Sequence, residues 1–309
     1  MIIRSGKILG AAITAIWLPA AAQAQDGGPL RQNIGFEFDT PVSPSSATST
    51  VSPTSVPQAM ERTSKSDSIA DFSLGTIYAE GEFGTGSKTS IWSSALGARL
   101  HLGNTTLTAS LPWMRIRSRS TIFTGIDATP VLVAPNTSPV RRTANGFGDL
   151  TLGASYTIAS EASPIEVQLS GRAKINTATK RSGLSSGEND YAFGTDVSAS
   201  LGKVTPFVSF IYRFLGNTAV YDLRDGPAAS AGASYALSSN SFLLASYHYS
   251  RAATRLVEDA HELFAGISTR IPQSPLRVTG FATVGLSRGA AAASGGLAIS
   301  AGLGGHNGR

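Results

Sequence analysis

Between residues 68 and 303 the chain alternates apolar with polar positions in runs of roughly ten residues, each run ended by a connector. The run at Ile165 is the clearest. Ile165, Val167, Leu169, Gly171, Ala173 and Ile175 fall on one face, and Glu166, Gln168, Ser170, Arg172, Lys174 and Asn176 fall on the other. A period of two predicts a β-strand, because successive side chains of a strand point to opposite faces. Residues 70–78, 150–158, 191–201 and 263–271 repeat the pattern, so one face is expected to be apolar and the other polar throughout. The connectors alternate in length. Short ones at 103–104, 160–163, 202–203, 238–240 and 272–274 separate longer ones at 81–87, 121–145, 178–189, 217–225, 252–258 and 288–291. Short turns at one end and longer loops at the other predict an all-β protein: a transmembrane antiparallel up-and-down β-barrel of about twelve strands.

Periodicity alone does not say which face looks outward. The polar faces are rich in Ser, Thr and Gly rather than Lys and Glu, and Trp113, Tyr191, Tyr212, Phe214, Tyr235 and Tyr249 sit near strand ends. Both features, with the connector rhythm, predict lipid on the apolar side and an aqueous lumen on the polar side.

The N-terminus predicts export. Arg4 and Lys7 precede the apolar stretch 8–18, and Ala22-Gln23-Ala24 is a small-x-small cleavage triplet, so residues 1–24 are expected to be a signal peptide. Residues 25–67, rich in Ser, Thr and Pro, cannot bury enough apolar surface to offset their ordering entropy and are expected to form a flexible arm. The barrel is then 68–303, with a tail at 304–309. No run after the signal reaches the roughly 18 apolar residues of a transmembrane helix.

Composition narrows the chemistry. The absence of Cys excludes disulfides and thiolate metal sites, and no zinc or nucleotide signature occurs, so no cofactor or metal is expected. Only 15% of residues are charged, well under the about 25% of soluble proteins, as a lipid-facing surface requires. The formal charge of +5 falls to +3 without Arg4 and Lys7, which gives no basis for a nucleic-acid partner.

The alternation assigns candidate lumen-lining residues: Arg99, Asp149, Glu166, Gln168, Arg172, Lys174 and Asn176, then Asp196, Arg213, His248, Glu262, Arg270 and Arg277. Six cations among them face four anions, which predicts weak anion selectivity led by Arg172 and Lys174. Arg115, Arg117 and Arg119 continue the outward face of Leu107, Ala109, Leu111 and Trp113, where guanidinium groups would meet lipopolysaccharide phosphates. A bulge at Pro112 would instead turn them to the pore mouth. The expected partners are therefore outer-membrane lipid, lipopolysaccharide and a small solute, with both termini in the periplasm; oligomeric state stays open.

Gly146-Phe147-Gly148-Asp149-Leu150 opens a strand, Lys174-Ile175-Asn176-Thr177 runs into a loop with Gly183-Leu184-Ser185-Ser186-Gly187, and Asn189-Asp190-Tyr191 opens the next strand. This arrangement resembles the outer-membrane channels linked to the meta-cleavage pathway of phenol degradation. Asn176-Thr177-Ala178 stands where that family has Pro-Thr-Gly. The resemblance covers residue 146 to the C-terminus and implies a barrel that passes small organic molecules, aromatic or anionic ones among them. In contrast to most such barrels, the chain has no aromatic residue after Phe281, although Leu297, Ile299, Ala301 and Leu303 alternate as a closing strand should.

An enzyme is not expected. Two G-x-S-x-G spacings, at 183–187 and 285–289, fall in strand-to-strand loops rather than the strand-to-helix turn that exposes a nucleophile. His248 reads as a polar lumen residue, because no serine and acid can be placed beside it from spacing alone, and His101, His261 and His306 lack metal-ligand spacing. The alternatives to a channel are a barrel that hydrolyses lipid esters and a structural, anchoring barrel without transport.

Overall fold

The computed structural model describes residues 69–126, 130–134, 140–160, 163–178, 183–216 and 222–303. The expected signal peptide, the arm and the 304–309 tail lie outside the described residues. Three long strands, β1 (Ala70–Gly81), β2 (Thr89–Leu102) and β3 (Thr105–Ser118), come first. A hairpin of β4 (Thr121–Thr124) and β5 (Pro130–Ala134) follows, then β6 (Arg142–Phe147) and β7 (Leu150–Ala159). Next are β8 (Ile165–Ile175), β9 (Asp190–Ala199), β10 (Val204–Phe214) and β11 (Gly226–Ala236). The last are β12 (Ser241–Ser250), β13 (Ala260–Arg270), β14 (Leu276–Gly285) and β15 (Ala293–Leu303).

Every neighbouring pair is antiparallel, and β1 pairs with both β2 and β15, from Ala70↔Leu303 to Glu80↔Ala293, which closes the sheet on itself. β6 and β7 together form one strand opposite β3, so the closed barrel has twelve strands. Closure pairs the strands of the wall on both sides, the condition for a sheet that sits in lipid, and only β6, which extends the ladder past β7, is paired on one side among the described residues. Both ends of the described barrel lie at the short-turn end.

The 121–145 segment differs from the expected plain loop. It holds the separate β4–β5 hairpin and then β6, which extends the ladder along the upper half of β3. The bulge weighed as an alternative at Pro112 lies on the facing strand. Ser110 pairs with Thr151 and Trp113 with Phe147, so three residues (148–150) face two (111–112), and the extra residue belongs to the β6–β7 side. Pro112 accepts a hydrogen bond from Gly148 N (2.9 Å) on that side. In an antiparallel strand a residue's N and C=O point the same way, so the donor that proline lacks would have pointed into the bulge. The alternation of β3 therefore runs on unbroken, with Met114, Ile116 and Ser118 inward and Arg115, Arg117 and Arg119 exposed outside.

The outward face is apolar over the whole circumference. Phe72, Leu96, Phe193 (59% exposed), Phe210, Leu243, Ile267 and Leu297 (62%) stand on it. Soluble monomers rarely expose so continuous an apolar belt, and lipid is its natural solvent. Aromatic contacts gather toward the long-loop end, including Tyr78 with Trp92 (6.4 Å between centroids) and Phe214 with both Phe193 (6.1 Å) and Tyr212 (5.0 Å).

Candidate pore interior

Inward positions are occupied at three levels. At the short-turn end charges meet directly: Asp71 is the register partner of Arg99, and its Oδ2 lies 2.8 Å from His101 Nε2. Arg172, two residues before Lys174 on β8, is half-buried, its stem lying over Gly153; a Cβ there would meet Arg172 Cγ at 3.1 Å and Thr108 Oγ1 at 2.5 Å. Glu166 and Gln168 (1% exposed) also point inside, the latter donating to Thr157 Oγ1 at 3.2 Å. Arg270 and Arg277 are register partners, and Arg277 lies over the Phe242 ring at 5.3 Å while donating to Ser268 Oγ at 3.2 Å.

Midway, a row of polar residues in register crosses five strands: Asp196 on β9, Ser209 on β10, Ser230 on β11, His248 on β12 and Glu262 on β13. Inward hydroxyls of Ser93, Thr151, Ser209, Ser230 and Thr283, and the amide carbonyl of Gln168, are buried with no protein partner. Each such group costs about 1–3 kcal/mol unless something satisfies it, so this interior requires water or a solute. Beside the polar row runs an aromatic wall. Phe207, Phe242, Phe264 and Phe281 all point inside from β10, β12, β13 and β14, with Phe264 stacked on Phe281 at 5.9 Å. Phe281 fits only because Gly296 faces it, where a Cβ would lie 2.5 Å from the ring.

At the long-loop end, Lys174 (1% exposed) does not face an open lumen. Its Nζ lies 3.3 Å from Asp149 Oδ2 and 3.0 Å from Asp190 Oδ2. Asp149 also accepts hydrogen bonds from Ser185 Oγ (2.7 Å) and from the backbone of Thr177 and Ala178. Asp190 accepts one from Gly216 N (2.9 Å), and Asn176 clasps the same loop through Gly187 O and Asn189 Oδ1. Asp149, Lys174 and Asn176 thus hold the 176–189 loop. Arg213, on β10 beside this network, reaches the other way round the barrel, donating to Ser250 Oγ and Arg251 O, both at 2.9 Å.

Two sequence expectations need correction here. Asp71 and Asp190 also turn inward, so the six cations face six carboxylates and the expected excess disappears. The inward face is not polar throughout either: Ile77, Ile91, Met114 and Ile116 occupy its long-loop end and Ile211 stands inside β10. The phenylalanine wall was missed for the same reason. The signal was present as apolar residues at adjacent positions, such as Phe242-Leu243 and Leu263-Phe264, which cannot share one face.

The hydrolase question has a sharper form in the structure. A serine and an acid do lie beside His248: Ser246 Oγ is 2.7 Å from its Nε2, and Glu262 is its register partner. His248 Nδ1 nevertheless has no protein partner, so the acid does not orient the base, and the strand amides around the serine belong to the ladder rather than to an oxyanion site. Ser185 donates to Asp149, and Ser287 donates to Asp259 O at 2.8 Å, so the serines of both G-x-S-x-G segments hold loops. His101 and His261 are bonded to Asp71 and Tyr247, respectively, and His306 lies outside the described residues.

No known protein family matches the sequence, and no curated protein does. A solved structure shares the fold, and others superpose less closely. An outer membrane channel from Pseudomonas putida F1 superposes with a TM-score of 0.58 over 76% of this chain and 95% of that one, at 11% identity. The KdgM porin has a TM-score of 0.47 over 75% of this chain and 99% of its own, at 9% identity. The CymD monoaromatic hydrocarbon channel has a TM-score of 0.44 over 77% of this chain and 90% of its own, at 9% identity. At such identities the first likeness establishes the fold, a barrel of the kind that outer-membrane channels use, and any solute must be argued from the interior.

Proposed function

We propose that this protein is an outer-membrane channel for passive passage of small organic solutes that carry both a ring and a polar group. The observation behind this reading is the two-sided interior, in which buried hydroxyls without protein partners stand beside the wall of Phe207, Phe242, Phe264 and Phe281. A solute with a ring and a hydroxyl or carboxyl satisfies both sides at once, stacking on one and bonding to the other. The lipid-facing belt places the barrel in a membrane, and the short turns and both barrel ends face the periplasm in this reading. A role beside phenol degradation is the finer form of the proposal, supported by the motif residues between 146 and 191.

The test is uptake by intact cells whose outer membrane retains its lipopolysaccharide. Producing the protein should speed entry of a hydroxylated single-ring aromatic severalfold over cells with empty vector. Phe281→Ser should reduce that gain. Folded protein in the outer membrane with no acceleration of uptake overturns the channel reading and favours an anchoring barrel.

A further inference from the structure

The channel reading leaves unexplained why the long-loop end of the interior is apolar on its β1–β3 side. Phe83 from the β1–β2 loop and Leu184 from the β8–β9 loop are buried together with Ala79, Ile91, Met114 and Ile116 of the wall, and Ala291 joins them from the β14–β15 loop. Phe83 and Leu184 are 1% and 0% exposed. Loops rooted on β1–β2, on β8–β9 and on β14–β15 therefore contribute to one buried apolar cluster. A second contact of the same kind lies nearby, where Ile126 from the segment after β4 packs on Ala192 and Ile211.

The loops are built to hold this position. Phe83 has φ of +49°, a left-handed conformation that costs a bulky residue about 1–3 kcal/mol and persists only where surroundings impose it. Gly84, at φ +72°, turns the chain back against Val257, where a Cβ would already be 3.0 Å from Val257 Cγ1. Thr85 closes the turn, its Oγ1 donating to Glu82 O at 2.6 Å. On the other side the buried Lys174 network fixes Ser185 and Ser186, the two residues after Leu184. Below this apolar layer lie the hydroxyls that require water; within it, the buried Phe83 and Leu184 offer water only apolar side chains. A narrow apolar constriction above a wet chamber blocks ions by dewetting.

We propose that Phe83 and Leu184 form a hydrophobic seal at the long-loop mouth and decide what the channel admits. This inference rests on the channel reading. Ions are refused because the seal cannot hydrate them, whereas an organic solute with an apolar ring wets it and displaces the side chains.

Planar lipid bilayers containing the purified full chain test this. Wild type should pass little ionic current. Leu184→Ser and Phe83→Gly, the latter relieving the left-handed strain and so keeping the fold, should each raise mean current on the order of tenfold. Leu184→Ile should stay at the wild-type level, and so should Arg288→Gln, which is exposed on the same rim. Steady wild-type current equal to that of the variants overturns the seal while aromatic uptake keeps the channel reading intact. A rise with Arg288→Gln overturns it too, since any rim change would then suffice. If wild type and the seal variants, all heat-modifiable and therefore folded, pass neither current nor aromatic solute, the channel reading fails and the seal with it.

Discussion

Lys174 lies between two carboxylates inside the barrel, and what surrounds it sets the consequence of removing it. Lys174→Met leaves Asp149 and Asp190 facing each other without a cation, and loss of one partner of a buried ion group costs about 3–5 kcal/mol. The urea midpoint in detergent should fall accordingly. Adding Asp190→Asn should recover part of the loss, since it removes one stranded charge; a double variant no better than the single one shows that the pairs are not coupled. Gly153 makes a second prediction. Because a Cβ there meets Thr108 Oγ1 at 2.5 Å, Gly153→Val should destabilise by about 1–3 kcal/mol through overpacking, read from the same midpoint. An unchanged midpoint means that Arg172 and Thr108 move aside freely.

At the scale of elements, β3 is the informative strand. Its proline has no ladder donor to lose on the bulged side, so Pro112→Ala should shift stability by no more than about 0.5 kcal/mol. A larger loss shows that the proline itself holds the bulge. The same strand carries Arg115, Arg117 and Arg119 outward near the long-loop end, above the Tyr78–Trp92 contact. In the orientation proposed they meet the phosphates of lipopolysaccharide, where guanidinium binds bidentately. Replacing all three by Gln should reduce the lipopolysaccharide that co-purifies without changing conductance. The opposite pattern, unchanged lipopolysaccharide with altered conductance, assigns them to the pore instead.

For the whole molecule, orientation and charge are the properties to measure. Arg255 is exposed in a long loop and Ser239 in a short turn. Single cysteines at these positions, probed in intact cells with an impermeant thiol reagent, should label at 255 and not at 239. Labelling at 239 alone inverts the topology. Six inward cations against six inward carboxylates imply little preference between anions and cations once the seal is opened. The reversal potential of Leu184→Ser in a salt gradient should therefore lie near zero. A strong preference for either sign shows that some of these charges are not matched along the path.

The local period of two, with the connector rhythm, was enough to determine most wall strands and their order, though not the β4–β5 hairpin or β6 within 121–145. Alternation at Ile165–Ile175 and connector length together specify an up-and-down barrel, because in such a fold every strand pairs with its neighbour in sequence and no distant pairing has to be guessed. The inward placement of Glu166, Asp196 and Glu262 follows from the same period. What the period cannot carry is which inward residues meet, since that depends on register and shear around a closed circle. Hairpin register set Lys174 between Asp149 and Asp190 and placed Asp71 opposite Arg99, whereas Ser246 and His248, two residues apart on β12, share a face by the period itself. Only loop folding carried Phe83 and Leu184, which have no period to read, into one cluster with Met114 and Ile116. Strand pattern is a local property of the chain; the contents of the lumen are a property of the closed sheet and the loops that fold into it.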